Sequence, residues 1–241
     1  MKKSAMFFVF LIILLSACSE EQSSSLDESK NYVQFTLNVH DWVFPEESRE
    51  AVRKTIEIHE KYNVPVDVYL DDAVLQNFLA NDTNLVQELK TSPVVSLSYH
   101  VRPPMPTYYN YDIFDWESLT KEEIYEKVLS YEEHRLDLET ALPLEEPGGY
   151  QLMKDTFGYA PIAIGVTATG KIGEAAEKVY WEKGAALKVN HGGESSLGEK
   201  SSYLYYRPEN IEIKFYESLK AYQKEGLSAE DLIRESITQY G

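Results

Sequence analysis

The sequence predicts an α/β fold in which parallel, buried strands alternate with outer helices. Two observations carry that prediction. Apolar, β-branched runs of strand length recur between segments of helical periodicity, and runs of this kind read as buried strands. In addition, three of the five histidines directly follow such a run: VQFTLNV leads into His40, VVSLSY into His100 and ALKVN into His191. Side chains just past the carboxyl ends of parallel strands stand where α/β sheets and barrels keep their ligands. Scattered surface histidines show no such habit.

The first segment is an address and lies outside that fold. Lys2 and Lys3 form a basic start, Met6 to Leu15 is a short apolar core, and LSAC at Leu15 to Cys18 supplies the small residues of a cleavage site. The apolar core is too short for a comfortable membrane span. LSAC also resembles the bacterial lipobox, whose Cys is lipidated and becomes the first mature residue. Residues 1–17 are therefore expected to be a lipoprotein signal peptide. Cys18 would carry the lipid and anchor the exported chain to the membrane at the bacterial cell envelope. The alternative is an ordinary signal peptide that ends in Cys.

Residues 18–30, rich in Ser, Glu and Gln, have no apolar periodicity and read as a flexible tether. Residues 31–241 then form one domain of ordinary size. Cys18 is the single cysteine, so this domain relies on its core and has no internal disulfide. With Lys2 and Lys3 set aside, 21 basic residues face 40 acidic ones, a net charge of −19. Nucleic acid and anionic lipid both require cationic patches, so this balance argues against them and against strongly anionic polymers. A neutral or weakly charged substrate fits better.

Within the domain, Val33 to Trp42 is the first strand and its end. After Pro45, the run Glu46 to Tyr62 has Val52, Ile56 and His59 at helical spacing, with acidic residues crowding its first turn. His59 lies on that apolar stripe and reads as a packed histidine. Asn63 and Pro65 stop the helix, and VDVYL at Val66 to Leu70 is a second strand. Asp71 or Asp72 then caps a helix beginning near Ala73. Leu85 to Lys90 is a short helix, and Pro93 opens the third strand, which ends at His100.

From Arg102 to Trp116 the chain has three prolines and five aromatics but no period. A loop this long inside a compact domain is usually functional, and its aromatic content argues against disorder. Arg102, Tyr108, Tyr109, Tyr111 and Trp116 are candidate substrate contacts, the rings offering flat faces for sugars. The same rings would equally well plug the open end of a barrel.

A long acidic helix is expected from Ser118 to about Leu142, with His134 at its surface or edge. A break follows at Pro147 to Gly149, then a short helix ending near Phe157 and a fourth strand at Pro161 to Val166. Gly165 to Ile172 reads GVTATGKI and matches a phosphate-cradling P-loop except at its last position, where Ile172 has no hydroxyl for magnesium. Gly170 and Lys171 are taken as the punctuation of a helix start. That helix, from Gly173 to Glu182, leads to the strand before His191. Gly192 and Gly193 follow and allow close backbone approach to a ligand. Tyr203 to Tyr206 and Ile211 to Ile213 are further short strands, and amphipathic helices complete the chain. Tyr203, Tyr205 and Tyr206 fit either a groove or an interface between copies.

The segments FTLNVHDW, NVPVDVYL and VVSLSYH, separated by helices, together resemble the polysaccharide deacetylase or NodB-like family over Val33 to His100, and VNH at Val189 to His191 extends the resemblance. The resemblance implies a distorted (β/α) barrel and removal of acetyl groups from a polysaccharide or oligosaccharide. The family's first strand ends in an Asp-Asp pair, base then metal ligand. His40 takes the base position and Asp41 the ligand position. Its second motif is a pair of metal-binding histidines four apart, where this chain has Ser96 and His100. Arg102 and Pro103 come too early for its Arg-Pro motif, and His191 matches the closing general acid.

On that resemblance, a divalent metal, most simply zinc, is held by Asp41 and His100, with His40 or water completing the set. His191 or His40 moves protons. A non-catalytic carbohydrate-binding lipoprotein on a degenerate barrel is the alternative, favoured by Ser96 in place of a ligand. A metal-dependent phosphate or sulfate ester hydrolase would use the same ligands but has few basic residues to accompany them.

Overall fold

A computed structural model describes residues 34–41, 44–101, 115–137, 140, 142–166, 168–189 and 199–207, with the isolated positions 231, 234 and 238. In chain order the elements are β1 (Phe35–Val39), α1 (Pro45–Tyr62), β2 (Val66–Leu70), α2 (Asp72–Asn81), α3 (Thr83–Thr91) and β3 (Val95–Tyr99). A 3-10 turn (Trp116–Ser118) precedes α4 (Lys121–Glu133), β4 (His134–Leu136), β5 (Pro143–Pro147) and α5 (Gly149–Phe157). Then come β6 (Ala163–Ile164), α6 (Gly170–Lys183), β7 (Leu187–Lys188) and β8 (Tyr205–Tyr206). The first segment, the tether, the stretch Ile211 to Ile213 and the terminal helices expected from sequence lie outside the described residues.

Local chemistry sets the elements. Pro45 occupies the first turn of α1 with Glu46 and Glu47 beside it, and the helix ends where Asn63 turns left-handed at φ 51°. Asp71 caps α2 by accepting from the Val74 amide at 2.8 Å. Asp82 does the same for α3 at Leu85, 3.2 Å. Thr120 and Glu123 form a reciprocal capping box at the start of α4.

The main sheet has six strands in the order β1-β2-β3-β6-β7-β8, all parallel, so the mixed α/β prediction holds. One face of the sheet carries Val66, Val68, Leu70, Leu97 and Tyr99, which join Val52, Ile56, Leu75, Phe78, Val128 and Val179 of the helices in the main core. On the other face a small second cluster of Tyr69, Ala163 and Val189 gathers, with Leu187 against it.

That second face is concave. A flat six-stranded sheet would set its edge strands roughly 24 Å apart. Arg207, directly after β8, nevertheless donates to the Tyr69 hydroxyl on β2 at 3.2 Å and to Thr36 Oγ1 on β1 at 3.5 Å. One arginine side chain spans that gap only if the sheet curls strongly and brings its two edges toward each other.

The expected helix to Leu142 is instead cut at Glu133, and the chain folds into the antiparallel pair β4-β5. His134 turns extended, and its Nδ1 bonds the Ser130 carbonyl at 2.8 Å, satisfying one of the helix's terminal acceptors. Gly148 and Gly149 make the return possible. A Cβ on Gly148 would lie 2.3 Å from the Arg135 amide, and Gly149 sits at φ 56° with its Cβ position 2.6 Å from Glu132 Cα. Glu132 locks the corner from within, accepting from the Tyr150 amide at 2.9 Å and the Tyr180 hydroxyl at 2.8 Å.

At the far side of the sheet, Lys188 on β7 donates to the buried Glu177 of α6 at 2.7 Å. Glu177 also accepts from Ser201 Oγ and from the amides of Ser202 and Tyr203, which fixes the approach to β8. Among the described residues no helix is long and apolar enough to cross a membrane.

Candidate functional site

Strand register assembles the site. Val39, Leu70 and Tyr99 are aligned across β1, β2 and β3, so the next residues, His40, Asp71 and His100, share one row at the carboxyl ends. The backbone keeps this register past the strands, through Asp71 N to Val39 O at 3.2 Å and His100 N to Leu70 O at 3.1 Å. Asp71 is engaged with the α2 amides, and over the end of β2 the two imidazoles stack, centroids 4.6 Å apart and planes 18° apart.

The two rings differ in setting. His100 is buried, with Nδ1 3.0 Å from the Val101 carbonyl. A carbonyl only accepts, so Nδ1 is the donor of this bond. His40 is solvent-exposed at one side. Desolvation by the groups around it lowers its pKa below the ordinary value, and the Asp41 carboxylate opposes the shift. His40 is therefore mostly neutral at pH 7, the form that accepts a proton. Asp41 is also exposed; its Oδ1 accepts from the Phe44 amide at 3.3 Å, and its carbonyl from Ser48 Oγ at 2.9 Å. These bonds tie the strand end to the start of α1.

These residues do not, as placed, fit a shared metal ion. Imidazole nitrogen binds zinc in the ring plane at about 2.0–2.1 Å. Near-parallel rings 4.6 Å apart direct their in-plane lone pairs alongside each other and do not converge. Among the described residues no group of three or more His, Cys, Asp or Glu side chains is placed to hold a metal. One element does suit a ligand: a carbonyl on Nδ1 is the common way of orienting a metal-binding histidine.

Below the histidines, the concave face continues as a polar strip. Thr36, Asp67 and Ser96 form one row and Asn38, Tyr69 and Ser98 the next. Asp67 is buried and accepts from Ser98 Oγ at 2.8 Å, from Ser96 Oγ at 3.3 Å and from Gln34 Nε2 at 3.4 Å. Burial raises the Asp67 pKa, and the Ser98 hydrogen bond, the Arg207 charge and the Ser96 hydrogen bond oppose that rise. Strands of a filled barrel place bulky branched residues inward; here Thr36, Asn38, Ser96 and Ser98 are small and polar, beside the single bulky ring of Tyr69 in these two rows. A signal for this was present, since FTLNV, VDVYL and VSLSY carry a polar residue at every second position.

Other expected residues fall elsewhere. Trp116 corrects the sugar-stacking expectation: it is fully buried in the main core, 6.2 Å from the Tyr131 ring, and offers solvent no face. An aromatic with that much surface is drawn into the core when a helix such as α4 packs over it. Arg102, Tyr108, Tyr109, Tyr111, His191 and Cys18 lie outside the described residues. His59 packs edge-on against Phe35 at 5.4 Å and bonds the Val64 carbonyl at 2.8 Å. Lys171 donates to the carbonyls of Glu117 and Leu119, stitching α6 to the 3-10 turn.

No protein-family model matches this chain, and no curated protein matches it. The deacetylase resemblance accordingly rests on the residues quoted for it.

Proposed function

We propose that the chain is a lipid-anchored hydrolase of the bacterial cell envelope, held at Cys18, that removes acetyl groups from a polysaccharide or oligosaccharide. The observation that carries this reading is the pairing of His40 and His100 at the carboxyl ends of two parallel strands. The strong curl of the sheet supports the finer reading of its architecture as a distorted, incompletely closed (β/α) barrel of the deacetylase type.

Neutral His40 takes a proton from water as its oxygen attacks the acetyl carbonyl carbon. The tetrahedral species then breaks its C–N or C–O bond, and the leaving nitrogen or oxygen collects a proton. Acetate and a free amine or hydroxyl result. In this proposal His191 is the donor to the leaving group. His100, fixed by the Val101 carbonyl, orients the His40 ring through the stack. The reaction needs no divalent ion between the two rings, whose in-plane lone pairs do not converge.

Ser96 favours a second reading. It stands where the resembling family has a ligand histidine, and its hydroxyl is turned to Asp67 at 3.3 Å. The domain would then bind a glycan without turning it over. Acetate release from N- and O-acetylated envelope glycans separates the two: release by the wild-type chain supports the hydrolase, and binding without release supports the second reading.

A further inference from the structure

We propose that Thr36, Asn38, Ser96 and Arg207 form a sugar-binding strip along the concave face, specific for an uncharged polyhydroxylated ligand. This inference rests on the reading of the strand ends as a glycan site and extends it downward from the histidines.

The strip is continuous with His40. Thr36, Asn38 and His40 alternate along β1, so they share one face at a spacing of about 6.6 Å per pair of residues, comparable to one sugar unit. All three are exposed to solvent, as is Ser96 across β2. The face is thus open at its β1 edge, and Arg207 reaches over it from the other side of the sheet.

Its chemistry suits hydroxyl groups. The Ser96 hydroxyl donates to Asp67, and its oxygen keeps the capacity to accept. Asn38 offers both an acceptor and two donors, and Thr36 offers a hydroxyl. Arg207 donates to the Thr36 and Tyr69 hydroxyls and so orients both at this face, its guanidinium lying 5.7 Å from the centre of the Tyr69 ring. Vicinal sugar hydroxyls each donate and accept, and such a mixed row meets both demands.

Charge selects the class of ligand. Asp67 and Arg207 bring one negative and one positive charge to the same face, so the described strip is balanced within a chain of net charge −17. A neutral sugar enters without electrostatic opposition, whereas an anionic polymer meets the repulsion of the whole molecule.

The test is calorimetric titration of the full chain, in a detergent without a sugar headgroup, with two probes: the N-acetylated chitin trimer and a uronic-acid trimer. The neutral trimer is expected to bind at least about tenfold more tightly, and Asn38→Ala and Thr36→Val are each expected to weaken it about tenfold. Both positions are exposed, so thermal melting confirms that the variants remain folded. Tighter binding of the uronate overturns the proposal, as does wild-type binding that neither substitution changes. Acetate release, measured in parallel, keeps the two claims apart. Release with unaltered binding in the variants sinks the strip alone, and a wild-type chain that neither binds nor releases acetate sinks the glycan reading with it.

Discussion

His40 and His100 stack with ring centroids 4.6 Å apart although 60 positions separate them in the chain. The parallel pairing of β1, β2 and β3 places them in one row, and the Val101 carbonyl holds the inner ring. Metal binding at this site therefore competes with the stack. Because the near-parallel rings do not converge on one ion, zinc titration followed by NMR should not shift the two ring signals together, and His40→Ala should leave zinc affinity within about twofold of wild type. Zinc uptake that perturbs both rings and is lost in His40→Ala would contradict this geometry.

The depressed pKa of His40, caused by desolvation and opposed by Asp41, fixes the sign of two pH effects. The folded chain binds fewer protons than the unfolded chain between the lowered pKa and the ordinary value near 6.5. Stability therefore rises with pH through that window and is lost as pH falls through it. The acid limb of kcat/KM should likewise have its midpoint below 6.5, where the base becomes protonated. Ring-proton titration by NMR checks the assignment, and a midpoint at or above 6.5 would remove His40 from the role of base.

Trp116 belongs to stability. Trp116→Phe should lower unfolding free energy by about 2 kcal/mol through lost packing against Tyr131 and its neighbours. Glycan affinity should stay within about twofold of wild type, because the ring faces no solvent. Chemical denaturation and calorimetry measure the two quantities separately. A large loss of affinity without a loss of stability would return Trp116 to the binding surface.

Lys188 and Glu177 form a buried ion pair at 2.7 Å, both side chains nearly inaccessible. Lys188→Ala leaves the carboxylate buried with neutral donors only and should destabilise the fold by about 3–5 kcal/mol. Burial works to raise the Glu177 pKa, but hydrogen bonds from Lys188, Ser201 and the Tyr203 amide outweigh it and the net shift is downward. Its contribution to stability is present above the ordinary carboxylate pKa and lost as pH falls through the lowered one. Urea unfolding at pH 7 and pH 3 should show the Lys188→Ala penalty shrinking at the lower pH.

Much of the fold was legible because its strands announce themselves in apolar runs and its helices in caps. VDVYL and VSLSY sit in the sheet as read, and Asp71 caps α2 as one of the two expected candidates. The histidine row was legible for the same reason, since residues after parallel strands must gather at one edge. Other features were not. The β4-β5 return hides in a glutamate-rich stretch with good helix propensity, and it is decided by Glu132, Gly148 and Gly149 through contacts distant in sequence. Trp116 looked like part of an aromatic loop because nothing local shows that α4 packs over it. The polar strip was visible as alternation, but only the register of three strands shows that Thr36, Asp67 and Ser96 share a face.

The most direct test of the central claim is acetate release from an acetylated glycan by the wild-type chain, His40→Ala, His100→Ala and the double variant. If the stacked pair acts as a unit, each single substitution should lower kcat/KM by about a hundredfold or more, and the double variant should be little worse than either single one. A single variant that keeps activity near wild type, or a wild-type chain that releases no acetate, would contradict the account.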